Sequence, residues 1–211
     1  MPRWNKIVAL SLFVVLAGAS LGLVTQQHKV ASLTAEDYID IEQLYFAYTH
    51  AIDLGEPEGR DYAAVFVPDG VFALVMPNPG ATAASSMCPT RGAPWHVGDP
   101  DAIRGSMPDK AGLDVCIFTL NGSDDLAAMA VSFHQVNGTT SRHIYTNLRI
   151  TTAPDGARGL VYFNALDVST KPPTNTNSGI YEDILMKTPD GWRFKKRVLT
   201  LDAADATSST Q

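Results

Sequence analysis

Cysteine is nearly absent: Cys88 and Cys116 are the only two in 211 residues, and no histidine or further cysteine clusters beside them. That excludes a zinc finger and the usual cysteine-rich metal sites. Charge is sparse, at 18% of the residues, and its balance is acidic, with a net charge of −6. No stripe of Lys and Arg with interleaved aromatics is present, so a nucleic-acid partner is not expected. The basic run Phe194-Lys195-Lys196-Arg197 reads as the solvated face of a strand. Also missing are a G-x-S-x-G elbow, a phosphate-binding loop, a dinucleotide fingerprint and an H-E-x-x-H helix. His28, His50, His96, His134 and His143 are too dispersed to spell a metal motif. Internal repeats and low-complexity tracts are lacking as well.

What is present fits one domain with extensions. Hydrophobic residues make up 45% of the chain, a globular composition, and 211 residues suffice for a real core. The chain starts with Arg3 and Lys6, an apolar run Ile7–Leu16 and the small triplet Ala17-Gly18-Ala19. That order is the layout of a signal peptide over residues 1–19. The alternative is an uncleaved anchor, because apolar character continues to Val24. In either case the domain is expected outside the cytoplasm, secreted or periplasmic, with membrane contact only through an uncleaved segment. No cysteine follows the apolar run, so a lipoprotein anchor is not supported. In an oxidising compartment Cys88 and Cys116 can pair, a closure worth about 3–4 kcal/mol on chain-entropy grounds. Two separate buried thiols are the other reading. Asn121-Gly122-Ser123 and Asn137-Gly138-Thr139 are glycosylation sequons, meaningful only in a eukaryotic source.

Residues 34–75 carry the clearest pattern. Thr34 and Asp37 stand in capping-box spacing, and Tyr38, Ile41, Tyr45, Tyr48 and Ile52 recur at helical steps. Asp53 follows this apolar stripe directly, and Gly55 can end the helix. A carboxylate there faces the interior or its rim, or else caps the following loop. A short amphipathic stretch (Tyr62, Val65, Phe66) leads to Pro68-Asp69-Gly70, a turn signal, and the strand-like VFALV. Residues 142–200 read as four strands. RHIYTNLRITT and RGLVYFNALDVST are separated by Pro154-Asp155-Gly156; SGIYEDILMKT and WRFKKRVLTL are separated by Pro189-Asp190-Gly191. Alternation places His143, Tyr145 and Asn147 on one face and Ile144, Thr146 and Leu148 on the other. Between the two halves, residues 76–141 hold a Pro/Gly/Ala/Ser-rich loop, a short helix over DPDAIRGSM and a helix starting near Asp124. A loop of that length reads as a lid.

A long helix delivering a carboxylate at its inner end, then a short helix and a strand, resembles the opening of the SnoaL-like branch of the NTF2-like superfamily. RHIYTN and GIYEDILMKTPDGWRFKKRVL resemble its closing sheet. The resemblance implies an α+β cone, a curved and mainly antiparallel sheet wrapped around N-terminal helices and a cavity. The domain would span residues 33–200, with a loop insertion at about 76–141 and a flexible tail over 201–211. Scytalone dehydratase and limonene epoxide hydrolase belong to the superfamily. By similarity to the dehydratase, Asp53 and His143 are the expected catalytic residues. Tyr48, His50, Asn164, Asp167 and Tyr181 are candidate substrate contacts. The dehydratase's second histidine has no counterpart around Asn164–Asp167, and the epoxide-hydrolase constellation is not placed. The expected function is a cofactor-independent lyase or isomerase acting on a small apolar molecule. The alternative is a non-catalytic binding or assembly module of the same fold. A homo-oligomer is also implied, with Val161, Phe163 and Leu185 as candidate interface residues.

Overall fold

The computed structural model describes residues 32–77, 92–98 and 115–202. In chain order these form α1 (Ala35–Leu54), α2 (Arg60–Ala64), β1 (Phe66–Pro77), β2 (His96–Val97), β3 (Val115–Asn121) and α3 (Gly122–Asn137). Four long strands follow: β4 (Ser141–Ala153), β5 (Gly156–Asp167), β6 (Thr174–Thr188) and β7 (Gly191–Leu201). They join one seven-stranded sheet in the order β2-β3-β1-β7-β6-β5-β4. Every pairing is antiparallel except β1 with β7, so the connection through α3 and the meander β4–β7 bring the last strand back beside the first. The α+β fold read from the sequence is the fold observed.

The start of α1 is fixed as its sequence suggests. Thr34 Oγ1 accepts from the Asp37 backbone N–H at 3.1 Å, and the Asp37 carboxylate accepts the Thr34 N–H at 2.9 Å. The same carboxylate reaches across to the sheet, accepting from Lys187 Nζ at 2.7 Å and from Trp192 Nε1 at 3.0 Å. One acidic side chain thus caps the helix and clamps it to the β6–β7 hairpin. Along the helix, Ile41, Leu44, Tyr45, Tyr48 and Ile52 are buried against the sheet. Each such side chain contributes roughly 2 kcal/mol of apolar burial. The hairpin turns fall at Pro154-Asp155 and Pro189-Asp190, followed by Gly156 and Gly191 at φ of 144° and 102°, where other residues are strained.

The structure corrects several details. Pro68-Asp69-Gly70 does not end an element; it lies inside β1 as an irregularity, with the pairing to β7 shifting between Phe66 and Val71. The helix expected near Asp124 begins at Gly122. The alternation along β4 holds only to Thr146: Asn147 has φ of 58° and the pairing with β5 shifts there. This bulge turns Leu148 and Ile150 onto the core side and leaves Asn147 exposed. Val161, Phe163 and Leu185 are core residues, 0, 3 and 0% exposed, so they are not available to a subunit interface. The 1–19 leader, the DPDAIRGSM helix, most of the expected lid, Cys88 and the 203–211 part of the tail lie outside the described residues. Among the described residues no helix is long and apolar enough to cross a membrane.

The Asp37 clamp has a pH signature. The Lys187 ammonium, aided by the Thr34 amide, holds the Asp37 carboxyl well below the usual carboxylate range, against the opposing pull of burial. A depressed folded-state value stabilises the protein above the unfolded value near 4, and this contribution is lost as pH falls below it. Urea unfolding from pH 7 to pH 2.5 should show stability declining below about pH 4. The D37A variant should lose about 2–4 kcal/mol at pH 7, from the cap and the orphaned Trp192 N–H, and decline less steeply. An unchanged acid limb in D37A would contradict the clamp.

Candidate active site

The last turn of α1 carries Asp53 to the free edge of the sheet. Among the described residues β4 is the terminal strand, so its outward-facing N–H groups have no neighbouring strand. Asp53 supplies the missing acceptor: Oδ2 takes the His143 backbone N–H at 2.7 Å, and Oδ1 lies 2.5 Å from His143 Nδ1. Both side chains are largely enclosed, His143 at 8% and Asp53 at 6% exposure. Two contacts to one residue fix the carboxylate, the imidazole and the end of the helix together. α3 adds a third tie, with His134 Nε2–H donating to the Ile52 carbonyl at 3.0 Å. An ionised carboxylate only accepts, so Nδ1 carries the proton and the Nε2 lone pair is left for chemistry.

Apolar rings shape the remaining surroundings of the imidazole. Phe163 stacks on it with centroids 5.2 Å apart, and Phe133 lies at 5.7 Å. Among the described residues no protein group hydrogen-bonds to Nε2. Asp53 also lines a surface groove of about 390 Å³ with Leu54, Val131, His134 and Gly138, between the ends of α1 and α3. The arrangement can act as an oriented base, with Asp53 setting the tautomer and angle of the imidazole. Both Asp53 oxygens are committed to His143.

A second polar cluster lies deeper on the same inner face, and sequence reasoning missed it. The Arg197 side chain is fully buried. Its Cζ lies 3.9 Å from the Tyr181 ring centroid, 4.0 Å from Tyr48, 4.4 Å from Phe194, 5.0 Å from Tyr45 and 5.1 Å from Tyr145. Arg197 Nε faces Asp183 Oδ1 at 3.6 Å, and the Tyr45 hydroxyl donates to Asp183 Oδ2 at 2.6 Å. Gly159 makes room for that hydroxyl, since a Cβ there would lie 2.0 Å from it. Burial pushes the Asp183 carboxyl up to about 6, against the pull of Arg197. Burial also opposes the Arg197 charge, but Asp183 and the tyrosines more than offset it and hold the guanidinium above its usual range.

The sequence candidates therefore separate. Asp53 and His143 meet, while Tyr48 and Tyr181, edge-on to each other, both pack against the Arg197 guanidinium. His50 is exposed on α1, and no hydrogen bond joins it to Asp53. Asn164, paired with Ile144 next to His143, accepts from Asn175, and Asp167 accepts from Ser169 in the following turn. Neither lies in the dyad. Arg197 escaped notice because Lys195 is an extra residue in β7: Phe194 pairs with Leu185 and Lys196 with Ile184, so the bulge flips the alternation. Asp183 did have a signal, standing in step with Tyr181 and Leu185. Cys116 is buried on β3. Among the described residues no group of three or more potential ligands is placed to hold a metal ion.

The comparisons agree with this architecture. The sequence profile of the SnoaL-like domain family matches residues 97–198. No curated protein matches the chain. Solved structures with the same fold include a function-unknown protein from Mycobacterium tuberculosis, 20% identical, with a TM-score of 0.54 over 83% of this chain and 78% of that one. An NTF2-like protein with a cystatin-like fold from Novosphingobium aromaticivorans is 17% identical, with a TM-score of 0.52 over 82% of this chain and 85% of its own. ActVI-ORFA from Streptomyces coelicolor is 20% identical, with a TM-score of 0.50 over 78% and 97%. At these identities the likeness establishes the fold.

The tautomer is directly measurable. In protein labelled with ¹⁵N-histidine, His143 in its neutral form should show a protonated Nδ1 and an unprotonated Nε2. Asp53→Asn should remove this preference while the remaining histidines keep their spectra. A protonated Nε2 with a bare Nδ1 in the wild-type protein would contradict the assignment.

Proposed function

We propose that this chain, whose residues 97–198 match the SnoaL-like domain family, is a cofactor-independent acid–base catalyst. Its substrate would be a small, largely apolar molecule carrying a carbonyl. The observation that supports this reading is the Asp53–His143 pair, enclosed, mutually fixed, and with no hydrogen bond to Nε2 among the described residues. Nε2 takes a proton from the carbon next to the carbonyl, and the C–H electrons move into the enolate. Asp53 stabilises the resulting imidazolium. Return of the proton to another carbon gives an isomerase; its delivery to a departing hydroxyl, released as water, gives a dehydratase. The Phe133 and Phe163 rings suit an apolar substrate face.

A second reading, a binding protein without turnover, is favoured by one feature. No histidine stands around Asn164–Asp167, where the dehydratase has its second, so the counterpart of that imidazole is missing from the Asp53–His143 pair. The same proposal places the domain outside the cytoplasm, with residues 1–19 removed and Cys88 paired with Cys116. Intact mass of the protein exported by an expression host checks both at once: loss of the leader and of two hydrogens is expected. A full-length mass with two titratable thiols would contradict both.

Chemistry and binding separate in deuterium oxide. Incubated with a panel of simple cyclic ketones and β-hydroxyketones, the wild-type protein should catalyse deuterium incorporation beside the carbonyl, read by mass spectrometry. His143→Asn should abolish it, and Asp53→Asn should slow it about a hundredfold with the fold intact. Binding of a ketone without exchange would favour the non-catalytic reading.

A further inference from the structure

Among the described residues the polar groups of the Arg197 cluster are not all satisfied. Arg197 Nε, Nη1 and Nη2, the Tyr145 hydroxyl and Asp183 Oδ1 are buried there without a hydrogen-bond partner. Buried polar groups are nearly always satisfied, so a guanidinium with no hydrogen-bond acceptor needs an explanation. Tyr48 and Tyr181, at 4.0 and 3.9 Å, lie closest to the guanidinium carbon, and Asp183 stands beside Nε. Nη1 and Nη2 remain, with the Tyr145 ring 5.1 Å from Cζ and its hydroxyl also unpartnered.

We infer that Arg197 and Tyr145 form a recognition subsite for one oxygen of a bound ligand, of the carbonyl or phenol class. The charge balance selects that class. Asp183 already opposes the guanidinium charge, so a full anion gains little, whereas a neutral oxygen that accepts hydrogen bonds satisfies the free donors. The surrounding aromatic edges suit a planar, apolar body. The subsite also lies within reach of the dyad. The His143 ring stacks on Phe163, and Phe163 meets Tyr145 and Tyr181 edge-on at 6.4 and 5.3 Å. His143 and Tyr145 are two residues apart on β4, before its bulge. A ligand oxygen held at Arg197 thus directs the rest of the molecule toward His143. The inference deepens the acid–base reading by naming the group that anchors the substrate, and it shares with that reading only the need for an interior ligand.

4-Nitrophenol tests it, because its absorbance reports both binding and hydrogen bonding to the phenol oxygen. The mature wild-type protein should bind the probe. Tyr145→Phe should weaken binding at least tenfold with the fold retained, since it removes one donor to the ligand and keeps the ring packing against Phe163 and Tyr181. Arg197→Lys should weaken binding further if it folds; if it does not, Tyr145→Phe alone decides. Val136→Ala, at an exposed position of α3 outside both clusters, should bind within about twofold of wild type. Absence of binding to the wild-type protein, or equal binding by Tyr145→Phe, would each overturn the subsite. If the probe binds as expected while deuterium exchange fails, the acid–base reading falls and the subsite stands.

Discussion

A guanidinium withdrawn completely from water sets the terms for the interior. Removing such a charge from solvent costs several kcal/mol, so its surroundings must repay that cost. Five aromatic rings, with Asp183 and the Tyr45 hydroxyl behind it, surround Arg197. α1 contributes Tyr45 and Tyr48; β4, β6 and β7 contribute the rest. Each cation–π contact is worth about 0.5–2 kcal/mol once desolvated, and together they tie helix to sheet. The bulge at Lys195 turns Arg197 inward, and the missing side chain at Gly159 lets Tyr45 reach Asp183. Backbone irregularity and a glycine thus serve one buried charge.

The edge of the sheet solves a different problem with a different carboxylate. A terminal strand leaves outward N–H groups unpaired, and α1 ends where Asp53 can accept one of them. That backbone bond fixes the carboxylate so that its second oxygen meets the imidazole of the same residue. Edge pairing and imidazole tautomer share a cause here: the group that finishes the edge also holds Nδ1. Asp37 performs the comparable task at the other end of α1. The helix is therefore held at both ends by acidic side chains and in its middle by the aromatic cage.

Much of this was legible in the sequence where periodicity is simple. The capping box at Thr34, the stripe from Ile41 to Ile52, the hairpin turns and the four final strands follow from local rules. Family resemblance singled out Asp53 and His143 as candidates facing one cavity but did not give their direct contact, since 90 residues separate them and no local pattern encodes it. Arg197 was misread because a period-two rule cannot foresee a bulge, and a basic run ordinarily marks a solvated face. Leu148 was misplaced for the same reason at Asn147. Buried charges and bulges depend on partners distant in sequence, and a single sequence does not display them.

The central claim is that His143 presents a free Nε2 to a ligand while Asp53 holds its other nitrogen. A crystal structure of the protein with a bound cyclic ketone, or with a molecule retained from expression, tests it most directly. The account expects the ligand against Phe163, with a reacting atom about 3 Å from His143 Nε2 and its oxygen turned toward Tyr145 and Arg197. A ligand seated elsewhere, with Nε2 hydrogen-bonded to a protein group, would contradict it.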